Sequence, residues 1–213
     1  MTTKATAGLG LRERKRLATR RAIQVAVLGL VRDHGLDGLT VDDISRVADV
    51  SPRTFFNYFA SKEEALVGDP LELPAQELVD EFVMAGGDSL LDDLKTLMIG
   101  AGEKSVADAE MLTLRHSILK QHPQLFAMRM VTMRAFEDEL AAVVRRRLLQ
   151  DDPSLEHDRE VLSNRARLVT LVAFAAMRHA WTCWATQDGS SLLSERLTES
   201  FAELRTLFTP TLA

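Results

Sequence analysis

The sequence predicts an all-α fold in two parts: a three-helix domain near the N-terminus and a larger helical bundle domain behind it, about nine helices in total. Three observations carry that expectation. Apolar residues recur at three- and four-residue spacings along almost the whole chain, and no segment shows the two-residue alternation of a strand. Helix start signals, a hydroxyl residue followed by carboxylates or proline, are repeated at Thr40, Ser51 and Ser61. Charge also changes along the chain: up to Lys62 there are eleven basic against six acidic residues, and beyond it fifteen against twenty-five.

The elements follow in order. Residues 1–10 carry no periodicity and are expected to form a mobile arm. From Leu11, the apolar positions Leu17, Ile23, Val27, Leu28, Leu30 and Val31 mark a first helix ending near His34, with Gly35 as its C-cap and Arg12, Lys15, Arg16 and Arg20 at its leading end. Thr40 precedes Val41-Asp42-Asp43-Ile44, a near capping box that opens a short second helix, Val41 to Ala48. Asp49-Val50-Ser51-Pro52 breaks it. Ser51 then caps a third helix, Pro52 to Phe59, with proline at the tolerated first position. Ser61-Lys62-Glu63-Glu64 opens a fourth, reaching Val67. Further segments are expected over 75–85, 90–106, 109–120, 123–149, 156–186 and 192–207, separated by breaks such as Gly86-Gly87-Asp88, His122-Pro123 and Asp151-Asp152-Pro153. The domain boundary is expected after residue 67, so that 11–67 form the first domain and 68–213 the second.

Bulk properties exclude several classes. At 213 residues, with 46% hydrophobic and 27% charged, the composition is that of a soluble globular protein. The longest apolar stretch, Leu168 to Trp184, contains Arg178 and His179 and falls short of the roughly 20 residues of a bilayer span. The basic N-terminal segment lacks the apolar core of a signal peptide, which predicts a cytoplasmic protein with no membrane association. The single cysteine, Cys183, stands between Trp181 and Trp184. It allows no intrachain disulfide and no thiolate metal site, and it reads as a buried structural thiol. Neither a cofactor nor a metal ligand set is expected. Nor is an enzyme, since there is no Gly-rich phosphate loop, no H-E-x-x-H and no G-x-S-x-G.

A basic head on an acidic body points to a polyanion as the partner of the first segment. Two short helices joined by a tight turn and braced by a preceding helix form the device that places one helix in the major groove of DNA. Ile44, Val47, Ala48, Val50, Phe55, Phe56 and Phe59 are expected to share a small core with Leu28 and Val31. That leaves Ser51, Arg53, Thr54, Asn57 and Tyr58 on the outer face of the third helix. Arginine suits guanine and asparagine suits adenine, while hydroxyls and helix N-termini mostly position the backbone.

The stretch Thr40-Val41-Asp42-Asp43-Ile44-Ser45-Arg46-Val47-Ala48-Asp49-Val50-Ser51-Pro52-Arg53-Thr54-Phe55-Phe56-Asn57-Tyr58-Phe59-Ala60-Ser61-Lys62-Glu63 resembles the DNA-binding signature of the TetR family of bacterial regulators. The resemblance covers about residues 12 to 67. It implies that Pro52 to Phe59 is the recognition helix, that Thr40 and Tyr58 contact phosphates with Lys62 at the backbone, and that Arg53, Thr54 and Asn57 face the bases. Two departures stand out. Asp49 occupies a place where the family often has glycine; aspartate tolerates the left-handed conformation such a turn needs. Phe56 stands where tyrosine is frequent, which removes one phosphate contact.

The same resemblance implies a homodimer on a palindromic, double-stranded operator and a small-molecule effector held by the second domain, with repression as the default. The expected dimer surface is Leu168, Leu171, Val172, Ala175, Ala176 and His179 with Phe201, Leu204 and Phe208, packed as a four-helix bundle between copies. All seven methionines beyond Met1 fall after the DNA-binding region. Met98, Met111, Phe126, Met130, Met133, Phe174, Met177 and Trp181 are candidates to line an apolar cavity, with an ordinary core as the competing reading of each. His116, His122, His179 and Arg115 are the polar groups available to orient a ligand. The rival to the regulator is a helical protein-interaction adaptor that never binds specific DNA.

Overall fold

The computed structural model describes residues 10–87, 90–103, 109–186 and 192–208. Among the described residues the fold is all-α, with ten α-helices, one for each segment set out above. They are α1 (Leu11–His34), α2 (Val41–Val47), α3 (Pro52–Tyr58), α4 (Lys62–Val67), α5 (Gln76–Met84), α6 (Leu90–Glu103), α7 (Ala109–Gln121), α8 (Pro123–Asp151), α9 (Arg159–Thr186) and α10 (Leu193–Phe208). The expected arm lies, apart from Gly10, outside the described residues, as do residues 104–106 of the sixth expected segment. No helix among the described residues is long and apolar enough to cross a membrane.

Local chemistry sets most boundaries. α1 stops at Gly35, whose φ of 78° is open to glycine and whose N–H closes on the Val31 carbonyl. The helix expected from Glu156 starts three residues later, because Pro153–His157 forms a 3-10 turn capped by Asp152, whose carboxylate accepts from the Ser154 N–H.

The described residues divide into two compact units. The first holds residues up to Pro70 together with 109–131; the second holds 71–103 and everything from Thr132 onward. In the first unit Ile23, Val27, Leu28, Ile44, Phe55, Phe59 and Leu66 are buried together, and Ile118 and Leu119 of α7 with Leu125 of α8 complete the core. Helices of seven, seven and six residues, α2, α3 and α4, are too short to persist in isolation, so this shared burial holds them.

The second unit is built on Phe82, Leu94, Leu97, Met98, Phe136, Leu140, Val144, Ala173 and Phe201. Its one fully buried charge, Arg147, is balanced by two carboxylates, although its Nη2 has no hydrogen-bond partner. Arg147 donates from Nε to Asp151 at 2.8 Å, and from Nη1 to Asp93 at 3.0 Å and to the Phe82 carbonyl at 2.6 Å. Cys183 is half-buried rather than enclosed, with its Sγ 3.6 Å from His179 Nε2.

Candidate nucleic-acid interface

The helix-turn-helix is assembled from reciprocal caps. The Thr40 hydroxyl accepts from the Asp43 N–H at 3.2 Å and donates to the Asp43 carboxylate at 2.6 Å, and the Thr40 N–H donates to the same carboxylate at 3.4 Å. The Thr40 hydroxyl and Arg46 hold the Asp43 carboxyl below its usual range, so the box stays charged at neutral pH. After α2 the chain turns at Asp49, whose φ of 53° makes it the one left-handed non-glycine among the described residues. The Val50 N–H then returns to the Ser45 carbonyl at 2.9 Å. Ser51 closes the turn by accepting from the Thr54 N–H at 3.0 Å, with its hydroxyl 2.8 Å from that of Thr54.

α3 is fixed by one face. Phe55 and Phe59, four residues apart, are buried and pack with ring centroids 6.0 Å apart and planes tilted by 42°. Opposite them Pro52, Arg53 and Asn57 are exposed, and Thr54 and Tyr58 are half-buried. Val47 and Phe56, expected in the core, lie outside it with 53% and 56% of their surface exposed. The reason is angular: on α2 the buried face is set by Ile44 and Ser45, with Val47 about 110° from its centre, and on α3 Phe56 is turned about 100° from Phe55. An uncapped aromatic ring thus joins the polar groups of the outer face.

Two cations brace this face from behind. Arg20 of α1 donates to the Tyr58 carbonyl at 2.8 Å and to the Asp69 carboxylate at 2.6 Å, while its guanidinium sits 4.1 Å from the centre of the Phe59 ring. It therefore fixes the C-terminal end of α3. Lys62, at the start of α4, donates to the carbonyls of Leu36 at 2.9 Å and Leu39 at 2.8 Å. Two of its three N–H donors are committed to the loop between α1 and α2. Neither role has a signature in sequence, since Lys62 bonds to main-chain carbonyls that every residue carries, and Arg20 bonds to one such carbonyl and to a carboxylate distant in the chain.

The other expected site residues are distributed as follows. Met98, Met133, Phe174 and Met177 come together in the second unit, with Phe174 edge-on to Phe136 at 5.8 Å. Trp181 is half-buried on α9, 5.5 Å from Trp184. Met111, Phe126 and Met130 belong to the first unit, Met111 half-buried and the other two exposed. Along α9, Leu168, Leu171, Ala175 and His179 are exposed, as is Phe208 on α10. Val172 and Leu204 are half-buried, and Ala176 and Phe201 lie in the core. The His179 Nδ1 is 2.9 Å from the Ser200 hydroxyl.

A braced bihelical unit that turns a capped, polar short helix to solvent defines a helix-turn-helix DNA-binding protein. Residues 26–67 match the sequence profile described as bacterial regulatory proteins, tetR family. The chain is 46% identical to the HTH-type transcriptional regulator TcmR of Streptomyces glaucescens over 57 residues, 27% of this chain and 25% of that protein. With the Mycobacterium tuberculosis regulator MftR it shares 29% identity over 139 residues, 63% of this chain and 68% of that one. The fatty acid degradation regulator FadR of Bacillus halodurans has the same fold, with a TM-score of 0.52 at 18% identity over 87% of this chain and 94% of that one. Over residues 26–67 the chain thus carries the DNA-binding segment of the TetR family of transcriptional regulators.

Proposed function

We propose that the protein binds a palindromic operator as a homodimer and represses transcription until a small, largely apolar ligand releases it. One observation carries the reading: α3 turns Arg53 and Asn57 outward from a helix whose Phe55 and Phe59 anchor it completely. Those two side chains match the hydrogen-bonding edges of guanine and adenine. Thr54 completes the base-facing set, while Ser51 and Pro52 at the N-terminal end, with Thr40, Tyr58 and the third donor of Lys62, are the groups that would meet phosphates. Functionally, residues 11–67 then form the DNA-reading domain and 68–213 the ligand-binding and dimerisation domain.

Symmetry follows from the DNA, because two copies of α3 must reach half-sites about 34–36 Å apart. The exposed stripe Leu168, Leu171, Ala175 and His179 on α9 supports a dimer surface there. Met98, Met133, Phe174 and Met177, adaptable side chains gathered in one unit, support a ligand locus in its interior. By linkage, an effector that weakens operator binding tenfold binds the DNA complex tenfold more weakly, about 1.4 kcal/mol of coupling.

The test is selection of bound sequences from a random duplex pool, followed by titration of Arg53→Ala. A palindrome is expected to emerge, and the variant is expected to lose about 1–3 kcal/mol of discrimination at one base position in each half-site. A pool that stays random would favour the adaptor instead, and a variant that binds the selected site unchanged would remove Arg53 from the base contacts.

A further inference from the structure

The first unit contains a buried positive charge that the helix-turn-helix does not use. Arg115 of α7 is only 9% exposed. Its Nε donates to the Leu66 carbonyl near the end of α4 at 2.9 Å, while its Nη2 is buried with no hydrogen-bond partner. The second cation in the same place is Arg129 of α8, whose Nη1 donates to the Asp69 carbonyl. Asp69 is the carboxylate that acts on both guanidiniums, and its Oδ1 is already bonded to Arg20.

The contrast with Arg147 shows what is missing. Arg147, more deeply enclosed and likewise left with an unpartnered Nη2, has two carboxylates to balance its charge; Arg115 has a carbonyl on its Nε and a neighbouring cation. Burial and the Arg129 charge push the Arg115 guanidinium down to about 10, so it remains protonated at neutral pH and keeps its demand for an acceptor. A buried guanidinium with an unused donor is stabilised most by an anion that supplies oxygen lone pairs. Arg129, the neighbouring cation, is half-exposed.

We infer that Arg115 and Arg129 form a binding site for a small carboxylate, held within the DNA-binding unit beside the end of α4. The carboxylate accepts from Arg115 Nη2 and from the Arg129 guanidinium. The site is two side chains from the recognition helix, since Asp69, whose carbonyl Arg129 holds, pairs with Arg20, and Arg20 holds the Tyr58 carbonyl. It is separate from the apolar ligand locus of the second unit and does not depend on operator binding being correct.

The experiment is calorimetric titration of the full-length protein without DNA, using benzoate as the probe and benzamide as its neutral isostere at matched ionic strength. Saturable uptake of one benzoate per chain is expected, with benzamide at least about tenfold weaker. Arg115→Met and Arg129→Met should each lose at least about tenfold, whereas Arg53→Met, on the DNA-facing helix, should bind benzoate as the parent does. Arg129→Met, at a half-exposed position, keeps the test valid should Arg115→Met fail to fold. The inference is overturned if benzoate does not saturate, if benzamide binds equally well, or if Arg129→Met binds benzoate unchanged. None of those results touches the operator selection, so the two readings stand or fall separately.

Discussion

Replacing Lys62 with methionine separates a structural latch from a DNA contact. Methionine preserves most of the stem and removes the ammonium that ties Leu36 and Leu39 to the start of α4. Two charge-assisted bonds at about 1.5–3 kcal/mol each set an upper bound of about 3–6 kcal/mol. Lys62 is half-exposed, so water re-solvates part of what is lost. The expected destabilisation is therefore about 2 kcal/mol, below that bound. For a chain of this size that lowers Tm by about 4–8 °C, readable by circular dichroism. The same protein is then titrated with a duplex of arbitrary sequence at several salt concentrations, which reports any phosphate contact as a change of about one unit in the salt slope. A variant that melts within about one degree of the parent while losing that unit of slope would refute the latch.

Three further outcomes follow from the same geometry. Gly68→Ala should destabilise the first unit by more than about 1 kcal/mol in urea titration, because φ at Gly68 is +81° and a Cβ would come within 2.6 Å of Arg115 Cζ; an unchanged midpoint would contradict this. Burial, with Lys120 adding to it, lowers the His116 pKa from its ordinary 6.5. The unfolded chain therefore takes up the proton first as pH falls, and stability should decline below the ordinary value. His116→Gln should flatten that decline in denaturant titrations between about pH 7.5 and 5.5, and parallel curves for the two proteins would rule the assignment out. Phe56→Tyr, at an exposed position of α3, should tighten binding to all duplexes by about 0.5–1.5 kcal/mol through one added phosphate bond, measured by fluorescence anisotropy. Equal affinities would mean that the ring edge does not reach the backbone.

What the sequence made legible was local. Thr40 and Ser51 cap because hydroxyls there compete successfully for free N–H groups, and Asp49 accepts a left-handed turn; both readings need only neighbouring residues. The outward set Arg53 and Asn57 was legible for the same reason. Val47 and Phe56 were misplaced because, on a helix of seven residues, adjacent apolar positions fit more than one buried stripe. Packing against distant elements decided between them. The joining of α7 and the start of α8 to the first core is likewise non-local, and it split the methionines between two units that composition alone treated as one group. The bracing roles of Arg20 and Lys62 stayed hidden because their partners, main-chain carbonyls and the Asp69 carboxylate, are brought to them by the fold.

The brevity of α2, α3 and α4 has a further consequence. Each is shorter than two full turns, and all three lean on the same few aromatic and aliphatic side chains. No intermediate should exist in which the reading head survives while its supports have melted: it forms and is lost in a single step. Protease cleavage and amide exchange in this region should then report one common opening rather than a graded series. Any influence that loosens Arg20 from Asp69 acts on the whole head at once.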